Sequence, residues 1–200
     1  GTVKRRLPLP RTCSTTSDSS TLQGYNVAIV GSGPAGFYTA KYLFKNAVAA
    51  TGSQVRIHMY ERLPAPFGLV RYGVAPDHPE VKNVINDFGD VAAMPNFSFF
   101  GNVEIGKDLH LSQLRTMYDA VVFCTGAQGE RLLGIPGEEL EGVVGAPAFV
   151  KWYNGHPDHV ALKPRAPGRA AVVLGQGNVA LDIARLLTRA PTELHPTDID

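Results

Sequence analysis

Cysteine is scarce in this chain. Cys13 and Cys124 are the only two in 200 residues, and they stand 111 positions apart. Two such distant thiols make no disulfide framework and lack the sulfur spacing of a zinc site, so no metal site is expected. They also exclude the Cys-x-x-Cys pair that a disulfide-exchanging enzyme sets beside its cofactor. Cys124 ends a hydrophobic run and reads as a small buried apolar residue, which suits a reducing compartment. Long apolar runs are missing too: nothing approaches the ~20 continuous residues that span a bilayer. Nor does charge of one sign dominate. A net charge of +1 gives no overall electrostatic case for nucleic acid or an acidic membrane surface. No repeat of solenoid length is present.

What is there is globular: 44% hydrophobic and 18% charged residues, enough for one or two cores. The first stretch differs. Residues 1–25 carry Lys4, Arg5, Arg6 and Arg11 against Asp18 alone, a local balance of +3, and they are crowded with Ser and Thr. Basic, hydroxyl-rich and nearly acid-free is the composition of an organelle transit peptide, so residues 1–24 are expected to be a disordered, transit-peptide-like tail. An ordinary disordered N-terminus is the plainer alternative.

Residues 26–30 form a short β-branched run, read as a buried strand. A helix is expected over Phe37 to Ala50 and a second strand over residues 55–60, closed by Glu61. Residues 63–79, rich in Pro and Gly, read as a structured loop. The 3–4 spacing of Val81, Val84, Ile85, Phe88, Val91 and Ala92 predicts an amphipathic helix after Pro79. Short strands around Gly101, a brief helix over Ser112–Tyr118 and a buried strand over Ala120–Cys124 follow. Residues 128–169 read as mostly loop, with a helix near Ala148–Tyr153 and a surface connection at the prolines before Arg169. Ala170–Leu174 are a third buried run, followed by a helix marked by Val179, Ile183, Leu186 and Leu187.

Strand, Gly-x-Gly-x-x-Gly/Ala and helix therefore occur twice, and that repetition carries the chemistry. In the first copy, Gly31 permits the tight turn, Gly33 lets backbone approach a pyrophosphate, and Gly36 lets the helix lie close to the strand. The helix N-terminus offers free N–H groups and a positive dipole end to the phosphates. Glu61 stands where an acidic residue takes a ribose hydroxyl, 25 residues beyond Gly36 rather than the usual ~20. In the second copy, Gly175, Gln176, Gly177, Asn178 and Val179 lead to Ala180 in place of the third glycine, which the fingerprint allows. A glycine turn without a ligand is the bland alternative for each. Two dinucleotides in one chain are economically explained by electron transfer between them. Gly126, in the small-residue turn after Ala120–Cys124, either meets a cofactor at the ends of the strands or is a plain strand-to-loop turn. Asp77 and His78, adjacent in the Pro66–Pro79 loop, are candidates for proton handling, although such adjacency is more often structural.

Five segments resemble one family. Gly31–Ala40, the Pro66–Asn86 loop, Ile135–Leu140 with Trp152–Gly155, and Gly175–Asp182 are similar to the adrenodoxin reductase family of mitochondrial NADPH–ferredoxin reductases, over roughly residues 25–200. The resemblance implies an α/β fold with two Rossmann-like doubly wound dinucleotide-binding domains of the glutathione-reductase type. It implies FAD and NADPH/NADP+ as cofactors, with FAD contacted at Ala35, Glu61, Leu69 and Ile105 and NADP at Gln176 to Val179. Residues matching His78 and Asp182 lie near the flavin in the family and are candidates for proton transfer. The implied partner is a 2Fe-2S ferredoxin (adrenodoxin) serving mitochondrial P450 systems. The implied location is the mitochondrial matrix, with peripheral association with the inner membrane. Cys124-Thr125-Gly126 and Ala127-Gln128-Gly129 depart from the family pattern near the expected domain junction.

The expected division is an FAD-binding portion at 25–129 and an NADP-binding portion at 130–200, both incomplete. The second turn lacks a following strand with residues for a 2′-phosphate, so the 200-residue chain is expected to be inactive alone. Thioredoxin- and glutathione-reductase readings fail for want of a cysteine pair. A glutamate-synthase small subunit would need cysteine clusters for iron–sulfur centres. The alternative from another class is a truncated, non-catalytic nucleotide-binding product.

Overall fold

A computed structural model describes residues 24–52, 54–127, 129–164 and 170–199. The basic N-terminal stretch through residue 23 and the connection at 165–169 lie outside the described residues. The centre is a parallel sheet of four strands: β1 (Tyr25–Val30), β2 (Val55–Tyr60), β3 (Phe97–Phe100) and β4 (Ala120–Phe123), in the order β3-β2-β1-β4. The sheet register aligns Val30 with Tyr60 on one side and Phe123 on the other.

Strand side chains alternate between faces, and both faces of β1 are covered. Val27 and Ile29 join Phe37 and Ala40 of α1 (Pro34–Thr51) and Phe88 and Val91 of a later helix in one core. Ala28 and Val30 join Tyr60, Leu109 and Leu114 on the other. Burial on both faces is why β1 reads as a continuous apolar run rather than an alternating one. Phe37 anchors the first core, stacked 4.9 Å from Phe88 and 5.9 Å from Phe97 between ring centroids.

After β2 comes a single helical turn, α2 (Leu69–Tyr72), then a 3-10 turn at Pro79–Asn83 that runs into α3 (Val84–Ala92). The amphipathic helix expected directly after Pro79 is therefore 3-10 through Asn83 and α-helical only from Val84. α4 (Leu111–Met117) covers the second core through Leu114. A third cluster gathers Val150 and Tyr153 of α5 (Ala146–Tyr153) and Ile183 and Leu186 of α6 (Asn178–Thr188), with Leu194 of the short α7 (Pro191–Leu194) against it.

Three sequence expectations need correction. Ala120–Cys124 is not a buried strand but the edge of the described sheet, with Phe123 54% exposed. Cys124 is half-buried, with Thr39 Oγ1 3.9 Å from its sulfur. Ala170–Leu174 is not a strand: none of the described strands pairs with it, and Val172 and Leu174 are 85% and 69% exposed. An apolar run becomes a strand when neighbouring backbone accepts and donates its hydrogen bonds, and no such neighbour lies beside this one among the described residues.

Candidate functional site

The first glycine turn is built as its spacing demands. Gly31 has φ +104°, and a Cβ there would lie 2.3 Å from the Cys124 carbonyl oxygen. At Gly36 a Cβ would come within 2.2 Å of the Gly31 carbonyl oxygen, so only glycine lets α1 start this close to β1. Gly33 differs: a Cβ there would meet nothing within 4 Å. Its backbone faces open space, as close approach to a ligand requires. Ala35, in the first turn of α1, is exposed.

The Pro66–Pro79 loop lies over this turn. The Phe67 N–H donates to the Ser32 carbonyl (2.9 Å). Gly68, with φ +46°, passes so near that its Cβ would be 2.9 Å from Gly33 Cα. Phe67 itself holds φ +88°, a strained conformation for a bulky residue, with its ring packed beside Phe37. Leu69, the next residue expected at the flavin, is 70% exposed.

Glu61 closes β2 and is held by residues that the spacing argument did not single out. Ser32 is fully buried and donates to Glu61 Oε2 from both its N–H (3.0 Å) and its hydroxyl (2.7 Å). The Leu63 N–H donates to Oε1 (3.1 Å). A carboxylate offers about four acceptor positions; three are used, which leaves one for an incoming hydroxyl. Ser32 is a variable position within the fingerprint, and its hydroxyl is the sequence signal for this contact.

A cavity of about 530 Å³ opens at the C-terminal ends of the strands. It is lined by Val30 and Gly31 after β1, Tyr60, Glu61 and Arg62 after β2, Thr125 after β4, Val103 to Ile105, and Asp158. That volume lies within the ~300–1,000 Å³ of small-molecule and cofactor sites. Its place, between the outward-running β2 and β4 at β1, is the switch point where doubly wound sheets bind ligands. Glu61 and Ile105 meet there. Gly126, with φ +69° and open space around it, follows the lining residue Thr125.

The proton-handling candidates lie outside this lining. Asp77 and His78 turn to different partners rather than to each other. His78 Nδ1 is 2.7 Å from Glu80 Oε1. The Asp77 side chain, 2% exposed, accepts two hydrogen bonds from Arg185 (2.6 and 2.8 Å) and lies 3.2 Å from Arg189 Nε. The Arg185 guanidinium holds the Asp77 carboxyl below the usual carboxylate range. Arg185 also bonds Asp182 (2.9 Å). Burial, reinforced by the Asp182 and Asp77 charges, pushes the Tyr153 hydroxyl up to about 12.

The second glycine turn is exposed from Gly175 to Val179. Gly175 has φ +134°, and Gly177 is the extended N-cap of α6, which begins at Asn178. Gln176, Asn178 and Val179 face solvent. Among the described residues no cluster of His, Cys, Asp and Glu could hold a metal ion, and no helix is long and apolar enough to cross a membrane.

A parallel sheet opening through Gly31–Gly36 into a helix, with an acid closing the next strand and a cavity at the switch point, defines a dinucleotide-binding unit. Residues 25–195 match the pyridine nucleotide-disulphide oxidoreductase family, and the chain belongs to it. The resemblance read from its motifs is borne out. The chain is 54% identical over 173 residues to human mitochondrial NADPH:adrenodoxin oxidoreductase, covering 86% of this chain and 34% of that protein. Against the Arabidopsis thaliana mitochondrial enzyme of the same name it is 56% identical over 182 residues, covering 90% and 37%. Mycobacterium tuberculosis FprA, solved in complex with NADPH, matches with a TM-score of 0.86 at 47% identity over 88% of this chain and 39% of that one. The chain thus spans 34–39% of the length of these relatives.

Proposed function

We propose that the chain is part of an NADPH-dependent flavoprotein reductase that passes electrons through FAD to a ferredoxin-type iron–sulfur protein. The observation that carries this reading is the cavity at the first glycine turn, lined by Gly31 and by Glu61 with one acceptor position unused, together with the open space at Gly33 in the same turn. Flavin, when bound, takes two electrons from a nicotinamide and releases them singly. The protein's share is binding and orientation. Gly33 and the N-terminus of α1 receive the pyrophosphate, Glu61 a ribose hydroxyl, and Ile105, Leu69 and Gly126 the remainder. Gly175 to Val179 receive the nicotinamide dinucleotide at the N-terminus of α6. Names of the relatives support NADPH and an adrenodoxin or ferredoxin as partners, and the plant and animal names support a mitochondrial setting. A role in P450 electron supply and peripheral contact with the inner membrane belong to the same proposal.

His78 and Asp182 are proposed as proton-handling groups. Glu80 occupies Nδ1 of His78, so exchange there would run through Nε2. We divide the chain into an FAD-binding portion at 25–129 and a nicotinamide-binding portion at 130–200, each with its own apolar cluster. Because Ala170–Leu174 has no sheet partner among the described residues, the 200 residues alone are expected to bind flavin without completing turnover. The test is reconstitution: the purified chain is incubated with FAD, gel-filtered and scanned for flavin absorbance, then mixed with NADPH and a 2Fe-2S ferredoxin. Retained flavin without ferredoxin reduction is the expected result. A chain that retains no flavin would overturn the FAD assignment, and ferredoxin reduction at a full enzymatic rate would overturn the division of labour.

A further inference from the structure

One wall of the cavity comes from far along the chain. Arg62 follows the ribose-holding Glu61, and its Nη2 lies 2.6 Å from Oδ2 of Asp158, in the 3-10 turn Pro157–His159. Both residues line the cavity. The turn that presents Asp158 is itself fixed. The Asp158 N–H donates to Nδ1 of His156 (3.1 Å), and His156 is only 5% exposed. Its ring packs 4.7 Å from that of Tyr72, in the loop covering the glycine turn. The pair is only partly buried, with side chains 30% and 48% exposed, so it can open without unfolding anything.

We propose that Arg62 and Asp158 form a clasp over the adenosine end of the flavin site, so that the 157–159 turn supplies a cofactor-retaining wall from the nicotinamide-binding portion. The inference rests on the FAD reading above. On that reading Glu61 takes the ribose hydroxyl, and Arg62 and Asp158 line the same cavity beside it, whereas Gly33, the phosphate-facing glycine, is not among the lining residues. With the clasp closed, the adenosine end is shut in by protein. With it open, that end faces water. Flavin retention and seating of the second portion then become one equilibrium, since each favours the closed pair.

The test uses the full chain with FAD as the probe, followed by quenching of flavin fluorescence. Asp158→Asn and Arg62→Gln each remove one charge from a half-exposed pair and leave the cores untouched. Each is expected to weaken FAD binding about fivefold, the scale of a partly exposed ion pair. The double variant should lose no more than either single one, while Lys41→Gln, in a surface pair elsewhere, stays at the wild-type value. Hydrogen exchange without FAD gives a second readout: amides at 62–63 and 158–160 should speed up together in Asp158→Asn. Unchanged exchange overturns the clasp. Faster exchange with unaltered FAD affinity, or additive losses in the double variant, overturns its role in retention. Failure of the wild-type chain to bind FAD at all would instead sink the reading on which the clasp rests.

Discussion

The two glycine turns share a pattern and differ in how tightly strand, turn and helix are held together. Around Gly31–Gly36 the preceding strand is hydrogen-bonded on both sides and its faces are buried. The glycines there are demanded by backbone atoms 2.2 and 2.3 Å from where a Cβ would stand. Around Gly175–Ala180 the helix forms and packs through Ile183 and Leu186, but the run before it has no strand partner among the described residues and is exposed except at Val173, which leans on the same cluster. A Cβ at Gly175, the counterpart of Gly31, would come no nearer than 3.6 Å to its nearest neighbour, the Ala180 side chain. The lesson is that the fingerprint encodes a close approach between strand, turn and helix. That approach exists only where a sheet holds the strand in place.

The sharpest way to break the comparison is to place the same side chain in both turns. Gly36→Val forces a branched side chain onto the Gly31 carbonyl and should cost more than ~4–5 kcal/mol, enough to lose cooperative unfolding of the sheet. Gly177→Val should change the urea midpoint only slightly. A midpoint for Gly36→Val close to wild type would mean that the turn is not as tight as described.

A smaller contrast concerns the strands themselves. Ile29→Ala, in a fully buried side chain of β1, should lower stability by ~2–5 kcal/mol. Leu174→Ala should stay within ~0.5 kcal/mol, because that side chain is already in water. Equal losses in denaturant titrations would show that residues 170–174 are buried in the folded chain after all.

The smallest effect tests what ties the two regions together. Asp77→Asn removes the charge that Arg185 grips with two hydrogen bonds and should cost ~1.5–3 kcal/mol. It carries a pH signature. The folded-state pKa of Asp77 is depressed, so its contribution is fully present above the ordinary carboxylate pKa of about 4 and is lost as pH falls through the lower folded value. Thermal midpoints of wild type and Asp77→Asn should therefore converge as the buffer is taken below about pH 4. A constant gap down to pH 2 would show that the carboxylate charge is not what stabilises this contact.

Much of the first region was legible in the sequence because its constraints are local. Residues 26–30, the three glycines and Glu61 stand within 36 positions, and each has a steric or hydrogen-bonding reason to be where it is. The contacts that finish the site were not legible. Ser32 occupies a variable fingerprint position, and nothing in the spacing says that its side chain turns inward to Glu61. Asp77 and His78 are neighbours in sequence, but Asp77 is claimed by an arginine 108 residues later. Asp158 reaches the cavity from a turn whose His156 packs on Tyr72, more than eighty residues earlier in the chain.

The sequence by itself determined the class: two glycine turns, each between an apolar run and a helix, and an acid closing the second strand. These follow from φ angles, Cβ clearances and residue chemistry, which are properties of short segments. Tertiary structure alone decided which turn is completed, where the cavity opens and which charges face it. Those depend on the hydrogen-bonding neighbours of a strand and on side chains meeting across a hundred residues, and no local pattern specifies either.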